Sequence, residues 1–369
     1  MSKYQPGNVW VIKVGSSLLT NNGAGMDRSL VQGWVDQIAR LRSQNLRIVL
    51  VSSGAVAEGM QRLGLKVRPH SIHELQAAAA VGQMGLIQLY ESAFQQHDIH
   101  TAQVLLTHDD LKSRERYLNA RSTLNQLLNL GVVPIVNEND TVVTDEIQFG
   151  DNDTLAALVA NLIGADTLLL LTDQAGLMSA NPVTHPDAEL ITVKPASSAE
   201  LDVMAGEGSA LGRGGMVTKV RAARTAARSG AHTIIASGRQ EAVITRLGDG
   251  NVTGTLLTPD SETVVARKQW LASLPTSGFL MLDEGACRVL KGEGRSLLSV
   301  GVTETRGRYT RGDMVACLDA GGREIARGLV NYSSDDVARI CGVSSDQFES
   351  VLGFLAEDEL IHRDNLVLI

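Results

Sequence analysis

This 369-residue sequence predicts an α/β fold, a largely parallel sheet with helices on both faces, followed by a small β-rich module. Three observations predict it. Up to about residue 257, short apolar runs rich in β-branched residues are bounded by turn signals, as buried strands are. Between those runs lie longer stretches with apolar residues at helical spacing, an alternation that calls for a largely parallel sheet. After about residue 258 the pattern changes to short alternating segments separated by glycines.

The predicted strands are Val9–Val14, Arg47–Val51, Thr101–Leu106, Val132–Val136, Thr167–Leu171 and Thr233–Ala236. The first helix covers 27–45, where Leu30, Trp34, Ile38 and Leu41 recur one turn apart behind Asp27 as N-cap. An Ala-rich helix follows over 72–97. Another spans 109–130, with Leu118, Leu124, Leu127 and Leu128 apolar and Gly131 as its stop. Shorter helices are expected over 152–163 and 216–229, the latter closing at Gly230. The predicted organisation is a catalytic domain over 1–258, a linker over 259–277 carrying Pro259 and Pro275, and a module with a short tail over 278–369. In that module Phe279–Leu282, Leu297–Val302, Met314–Leu318 and Glu324–Val330 read as strands, and 334–356 as helical.

Composition sets limits on function. A net charge of −8 argues against general binding to nucleic acid or membrane surfaces. The three cysteines, Cys287, Cys317 and Cys341, have neither disulfide-framework nor zinc-site spacing, which suits a reducing cytoplasm. No apolar run is long enough to span a bilayer, and the first residues lack a signal core.

Chemistry is suggested by two lysines beside glycines with an acidic cluster between them. Lys13 ends an apolar run and is followed by Gly15-Ser16-Ser17. Such a lysine can sit over phosphates gathered by loop amides, or merely end a strand and reach water. Lys219 follows Gly214-Gly215 in the first turn of a helix, where its charge opposes the helix dipole. An anion at that end would remove the conflict, and the glycines allow close backbone approach. The bland alternative is a surface lysine after a flexible loop. Ser52-Ser53-Gly54-Ala55 ends the second strand and opens a helix, a place for an anion or simply a serine N-cap. Asn137-Glu138-Asn139-Asp140 ends the fourth strand, and Gly150-Asp151-Asn152-Asp153 precedes a helix. Capping explains part of that run. A single polar wall of Asp140, Asn152 and Asp153 explains more of it. Thr172-Asp173 ends the most apolar strand, at a ligand-facing edge or in a plain Asp-containing turn. No phosphate loop of the Gly-x-x-x-x-Gly-Lys-Ser/Thr type, no protein-kinase motif set and no Gly-x-Ser-x-Gly elbow occurs.

In this order, Lys-Val-Gly-Ser-Ser, Val-Ser-Ser-Gly-Ala, Arg-Glu-Arg-Tyr-Leu-Asn-Ala-Arg (114–121), Val-Asn-Glu-Asn-Asp, Gly-Asp-Asn-Asp, Leu-Leu-Thr-Asp-Gln and Gly-Gly-Met-Val-Thr-Lys make the chain resemble the amino acid kinase family over about 8–257. The C-terminal module resembles a PUA domain. The resemblance implies a three-layer α/β/α sandwich and ATP-dependent phosphorylation of the γ-carboxylate of L-glutamate, on the route to proline, with magnesium held chiefly by the nucleotide phosphates. By similarity Lys13 and Lys219 contact the transferring phosphoryl group and Asp153 organises both. Ser53, Asp140 and Asn152 hold glutamate. Lys13, Gly15, Thr172, Asp173 and the loop Arg213, Gly214, Gly215, Met216, Val217, Thr218 and Lys219 line the nucleotide site. The family pattern often has Thr and Ser or Ala where Arg213 and Val217 stand here. The resemblance further implies a homo-oligomer, proline as feedback inhibitor and hand-off of a labile product to glutamyl phosphate reductase.

The rivals are a family member with another acceptor, such as acetylglutamate, aspartate, carbamate or a uridine nucleotide, a silent regulator, and an RNA-binding protein built on the module. Residues 277–341 hold nine Lys/Arg and nine Asp/Glu, so the module lacks the basic footprint of an RNA binder despite Arg306, Arg308 and Arg311.

Overall fold

A computed structural model describes residues 4–20, 25–143, 152–206, 215–260, 268, 271–272 and 274–369. It divides into two compact units, Met1–His108 with Thr123–Thr263, and Asp109–Ser122 with Val264–Ile369.

Among the described residues the first unit is built on an eight-stranded sheet. In chain order its strands are β1 (Val9–Val14), β2 (Arg47–Ser52), β3 (Thr101–Leu106), β4 (Val133–Glu138), β5 (Thr167–Thr172), β6 (Val193–Pro195), β7 (His232–Ser237) and β8 (Thr255–Thr258). They lie in the order β3-β4-β2-β1-β5-β7-β8-β6. All neighbours are parallel except β7 and β8. The six predicted strands are all present, to within two residues at each end. β6 and β8 escaped prediction because they are short and lie in polar surroundings.

Strand composition explains the centre of this unit. Leu168 to Leu171 are at most 1% exposed, as are Val11, Ile12 and Val49. A strand covered on both faces loses the polar alternation of an exposed one. Each such side chain contributes about 1.5–3 kcal/mol by leaving water. Helix Arg28–Arg42 turns Val31, Trp34, Val35, Ile38 and Leu41 inward, and Asp27 caps it by accepting from the Leu30 N–H at 3.1 Å. Helices Ala55–Arg62 and Ile72–Gln95 touch through glycines. A Cβ on Gly59 would stand 1.7 Å from the Ala78 carbonyl oxygen, and one on Gly82 1.8 Å from that of Ala55. Only hydrogen side chains permit this approach, which fixes the position of Gln83, one residue further on.

The predicted helix over 109–130 is two helices, His108–Lys112 and Arg114–Asn129. The segment Asp109–Ser122 belongs to the second unit. There Leu118 packs with Leu271, Met314, Leu329 and Val367. Arg114 pairs with Asp313 at 3.2 Å, Arg121 donates to Asn365 Oδ1 at 2.6 Å, and Ser122 donates to Glu357 Oε1 at 2.6 Å. The arginines of the 114–121 motif are therefore held by structural contacts.

Among the described residues the rest of the second unit is built on a five-stranded sheet of β9 (Gly278–Leu282), β10 (Val302–Gly307), β11 (Met314–Leu318), β12 (Glu324–Leu329) and β13 (Leu366–Leu368), in the order β10-β9-β11-β12-β13. Its core gathers Leu280, Val315, Cys317, Ile325, Tyr332 and Phe348. The run Leu297–Val302, read as a strand, instead makes a 3-10 turn at Ser299–Gly301 before β10 begins. Helix Glu284–Glu293, capped by Asp283, was not anticipated, because Gly285 and Gly292 interrupt its pattern. The predicted helical piece over 334–356 is split into Ser334–Ile340 and Phe348–Leu352. Among the described residues no helix is long and apolar enough to cross a membrane.

Candidate active site

Parallel strands put their carboxyl ends on one edge, and ligands in such sheets gather where the chain reverses its order across the sheet. Here the chain runs outward from β1 through β2 and then returns to β5 on the other side. Lys13 of β1, Ser52 of β2, Asn137 of β4 and Thr172 of β5 all lie at or near that edge. Two helices open onto it, Asn152–Ile163 and Met216–Ala227.

Asp153 stands at the centre, 2% exposed, in the first turn of its helix. Lys13 Nζ lies 2.6 Å from its Oδ1, and Lys219 Nζ lies 3.0 Å from its Oδ2. Thr218 donates to the same Oδ2 at 2.8 Å. Lys13 and Lys219 are 6% and 7% exposed, so all three charges are withdrawn from water. Burial would push the Asp153 carboxyl up, but the ammoniums of Lys13 and Lys219 outweigh it and hold the group well below the usual carboxylate range. The plain alternatives, a strand-end lysine in water and a surface lysine, do not describe this structure. The anion that relieves Lys219 of its conflict with the helix dipole is, within the protein, Asp153.

Gly15 lies against this cluster. A Cβ there would be 3.9 Å from Lys13 Nζ and 3.6 Å from the Leu171 carbonyl oxygen, so the loop passes close to both the ammonium and the end of β5. Thr172 is 7% exposed and donates to Asp173 Oδ1 at 3.0 Å. Gly215, Met216, Val217 and Thr218 form the start of the second helix, and Gly215 offers no side-chain cap. Gly150, Asp151, Arg213 and Gly214 lie outside the described residues.

A second network adjoins the first through Asn152. Its Nδ2 donates to Ser53 Oγ at 2.8 Å and to Asn137 Oδ1 at 3.1 Å. Asn137 Oδ1 also accepts the Glu138 backbone N–H at 2.9 Å, and Asn137 Nδ2 donates to Gln83 Oε1 at 2.9 Å. Ser53 is no N-cap, because Gly54 occupies that position with φ of +105°, a conformation that favours glycine. Beneath it, Ser52 shares a 3.0 Å hydrogen bond with the buried Tyr90 hydroxyl. Asp140 lines a neighbouring cavity of about 250 Å³ with Gln83, Glu138, Asn139 and Thr141. Burial pushes its carboxyl up to about 6, against the opposing pull of Arg68.

The structure thus brings together Lys13, Lys219 and Asp153, and separately Ser53 and Asn152, with Asp140 on the cavity wall. Sequence reasoning gave no part to Gln83 or Tyr90, which sit mid-helix with nothing but their polarity on an otherwise apolar face to mark them. Asn137 was visible only as part of the run ending β4.

The amino acid kinase family model matches residues 8–237, and the PUA domain model matches residues 278–352. The glutamate 5-kinase of Thioalkalivibrio sulfidiphilus (strain HL-EbGR7) is 60% identical over 362 residues, covering 98% of this chain and 96% of that protein. That of Alcanivorax borkumensis (strain ATCC 700651 / DSM 11573 / NCIMB 13689 / SK2) is 61% identical, with 98% and 96% covered. The solved carbamate kinase from Giardia lamblia bound to AMP-PNP shares the fold at 18% identity, with a TM-score of 0.50, covering 69% of this chain and 99% of that one. The chain belongs to the amino acid kinase family, within its glutamate 5-kinase group, and carries a C-terminal PUA domain.

Proposed function

We propose that this protein transfers the γ-phosphoryl group of ATP to the γ-carboxylate of L-glutamate, giving glutamyl 5-phosphate for proline synthesis. The observation that carries the chemistry is the buried clamp of Lys13 and Lys219 on Asp153, at 2.6 and 3.0 Å. The acceptor carboxylate is already ionised at neutral pH, so the reaction needs no general base. Its obstacle is bringing an anion up to a polyanion. Two preorganised ammoniums aimed at the transferring phosphoryl and the leaving phosphate meet that need by charge and position. Asp153 holds them at a fixed separation, and the three groups together keep one net positive charge for the phosphates. Gly15, Thr172, Asp173 and the segment 215–219 line the nucleotide side. Ser53, whose hydroxyl accepts from Asn152 and so can still donate, holds a carboxylate of glutamate, and Asn152 Oδ1 and Asp140 take its ammonium.

Magnesium enters this reading on the nucleotide phosphates. Asp153 does not suit it as a ligand, since one carboxylate oxygen faces Lys13 and the other faces Lys219 and Thr218. No step is therefore assigned to a metal ion held by the chain. Proline inhibition at the glutamate site, a homo-oligomer and delivery of the labile product to a reductase extend the same reading.

The test is turnover of ATP with magnesium and L-glutamate, trapping the acyl phosphate with hydroxylamine, with aspartate and acetylglutamate alongside. Hydroxamate from glutamate alone is the expected result. Product from another acceptor would move the substrate, and no product from any would sink the reading.

The Asp140 carboxyl adds a pH prediction. At about 6 it lies above its unfolded value, so between roughly pH 4 and 6 the folded protein binds the extra proton. Its contribution to stability is thus present at low pH and lost as pH rises through 6. Substrate binding runs the other way, since only the ionised form attracts an ammonium. With glutamate, kcat/KM is expected to be flat above pH 7 and to fall about tenfold per unit well below 6. Asp140→Asn should lower kcat/KM and erase that inflection. An inflection kept in the variant would assign it elsewhere.

A further inference from the structure

We propose that Gln83 is a substrate-binding residue, its Nε2 donating a hydrogen bond to the α-carboxylate of the amino acid acceptor. The inference rests on the glutamate reading above and adds a residue to it. One backbone group orients the network. The Glu138 N–H can only donate, so the Asn137 atom it meets at 2.9 Å must be the carbonyl oxygen. That fixes the direction of every amide in the relay. Asn137 Nδ2 then donates to Gln83 Oε1, which turns Gln83 Nε2 away from Asn137. On the other side Asn152 donates to Asn137 and Ser53, which leaves Asn152 Oδ1 as a spare acceptor.

Among the described residues, both ends of the relay are buried without a partner, Gln83 Nε2 as a donor and Asn152 Oδ1 as an acceptor. Gln83 is 9% exposed and Asn152 8%. A buried polar atom with no partner is costly, and sites built to bind polar ligands are where such atoms are found. Gln83 also lines the cavity that holds Asp140. A donor and a carboxylate on one wall match the two groups an α-amino acid carries, a carboxylate and an ammonium. Gly82 secures the arrangement, because its contact with Ala55 leaves no room for the helix to shift.

Two variants separate a binding role from a structural one. Gln83→Glu keeps an oxygen for Asn137 but puts an anionic oxygen where the donor was. Gln83→Met keeps the volume and loses both. If Gln83 only supports Asn137, the Glu variant is the milder. If it binds the substrate carboxylate, Glu is the worse of the two at pH 8, through repulsion. The expected result is a rise in glutamate KM of about 10- to 100-fold for Met and more for Glu, with ATP KM and kcat within about threefold. An unchanged glutamate KM, the reverse order, or a parallel fall in kcat and both affinities would overturn the proposal. The wild-type hydroxamate assay separately tests the glutamate reading. Should the wild type use another amino acid acceptor, the same order of variants in that acceptor's KM decides the role of Gln83.

Discussion

Asp153→Asn is expected to lower kcat by about 100- to 1000-fold while leaving glutamate KM within a few-fold, the scale seen when a preorganised charge-stabilising group is lost. The substitution keeps the shape of the side chain and removes its charge. Lys13 and Lys219, each buried, then face one another with no anion between them. Desolvation and like-charge repulsion drive the two side chains apart or outward, which spoils the geometry that receives the phosphoryl group. Stability should suffer too. Removing one partner from a buried ionic cluster costs about 3–5 kcal/mol. The sign with pH follows from the direction of the shift. The Asp153 carboxyl lies below its unfolded value, so its contribution is complete above about pH 4 and is lost only as pH falls through the lower folded value. The wild type should therefore keep the whole of this contribution in urea unfolding from pH 5 to 8, and the variant should lie below it throughout that range. Bound ATP should narrow that gap, because its phosphates supply the missing negative charge. A folded variant with unchanged turnover would remove Asp153 from the mechanism.

What sequence could reveal followed the physics of each feature. β1 and β5 were visible because a strand buried on both faces must be continuously apolar, as Thr167–Leu171 is. Helix Arg28–Arg42 was visible because it buries one stripe and begins with a capping aspartate. Lys13, Lys219 and the acidic run were visible as residue types with no structural need to be where they are. The union of the lysines on one carboxylate was not visible, since Asp153 lies 140 residues from Lys13 and 66 from Lys219 in sequence, and only the sheet topology brings them together. Gln83 was hidden for a different reason. Its partner Asn137 comes from a strand, its own helix is otherwise Ala-rich and apolar, and a single glutamine there carries no local pattern. The placement of Asp109–Ser122 in the second unit was equally unreadable, because the leucine spacing of Arg114–Asn129 is the same whichever core each leucine enters.

Lys219→Met is expected to reduce kcat/KM for ATP by about 1000-fold or more, mostly through kcat, since a cation that meets charge developing on the transferring group acts in the transition state more than in the ground state. Methionine fits the volume that Lys219 fills among Asp153 and the first turn of its helix, so lost packing is not the reason. Helix-dipole repulsion is relieved by the change, so stability should fall less than in Asp153→Asn, where two buried ammoniums lose the carboxylate they share. Lys219→Arg should not restore the rate. Its planar fork needs more room than the 3.0 Å contact with Asp153 leaves, and it presents charge over a wider surface than a single ammonium. The decisive comparison is the double variant. Lys219 and Asp153 share one contact, so their effects cannot be independent. If Asp153 acts by holding the lysines, then once Lys219 is gone its further loss should cost far less than it does in the wild type, leaving only its hold on Lys13. Losses that multiplied in full would mean that Asp153 and Lys219 serve the reaction separately. Losses that fall short of that product would show that the carboxylate and the ammonium work as one device.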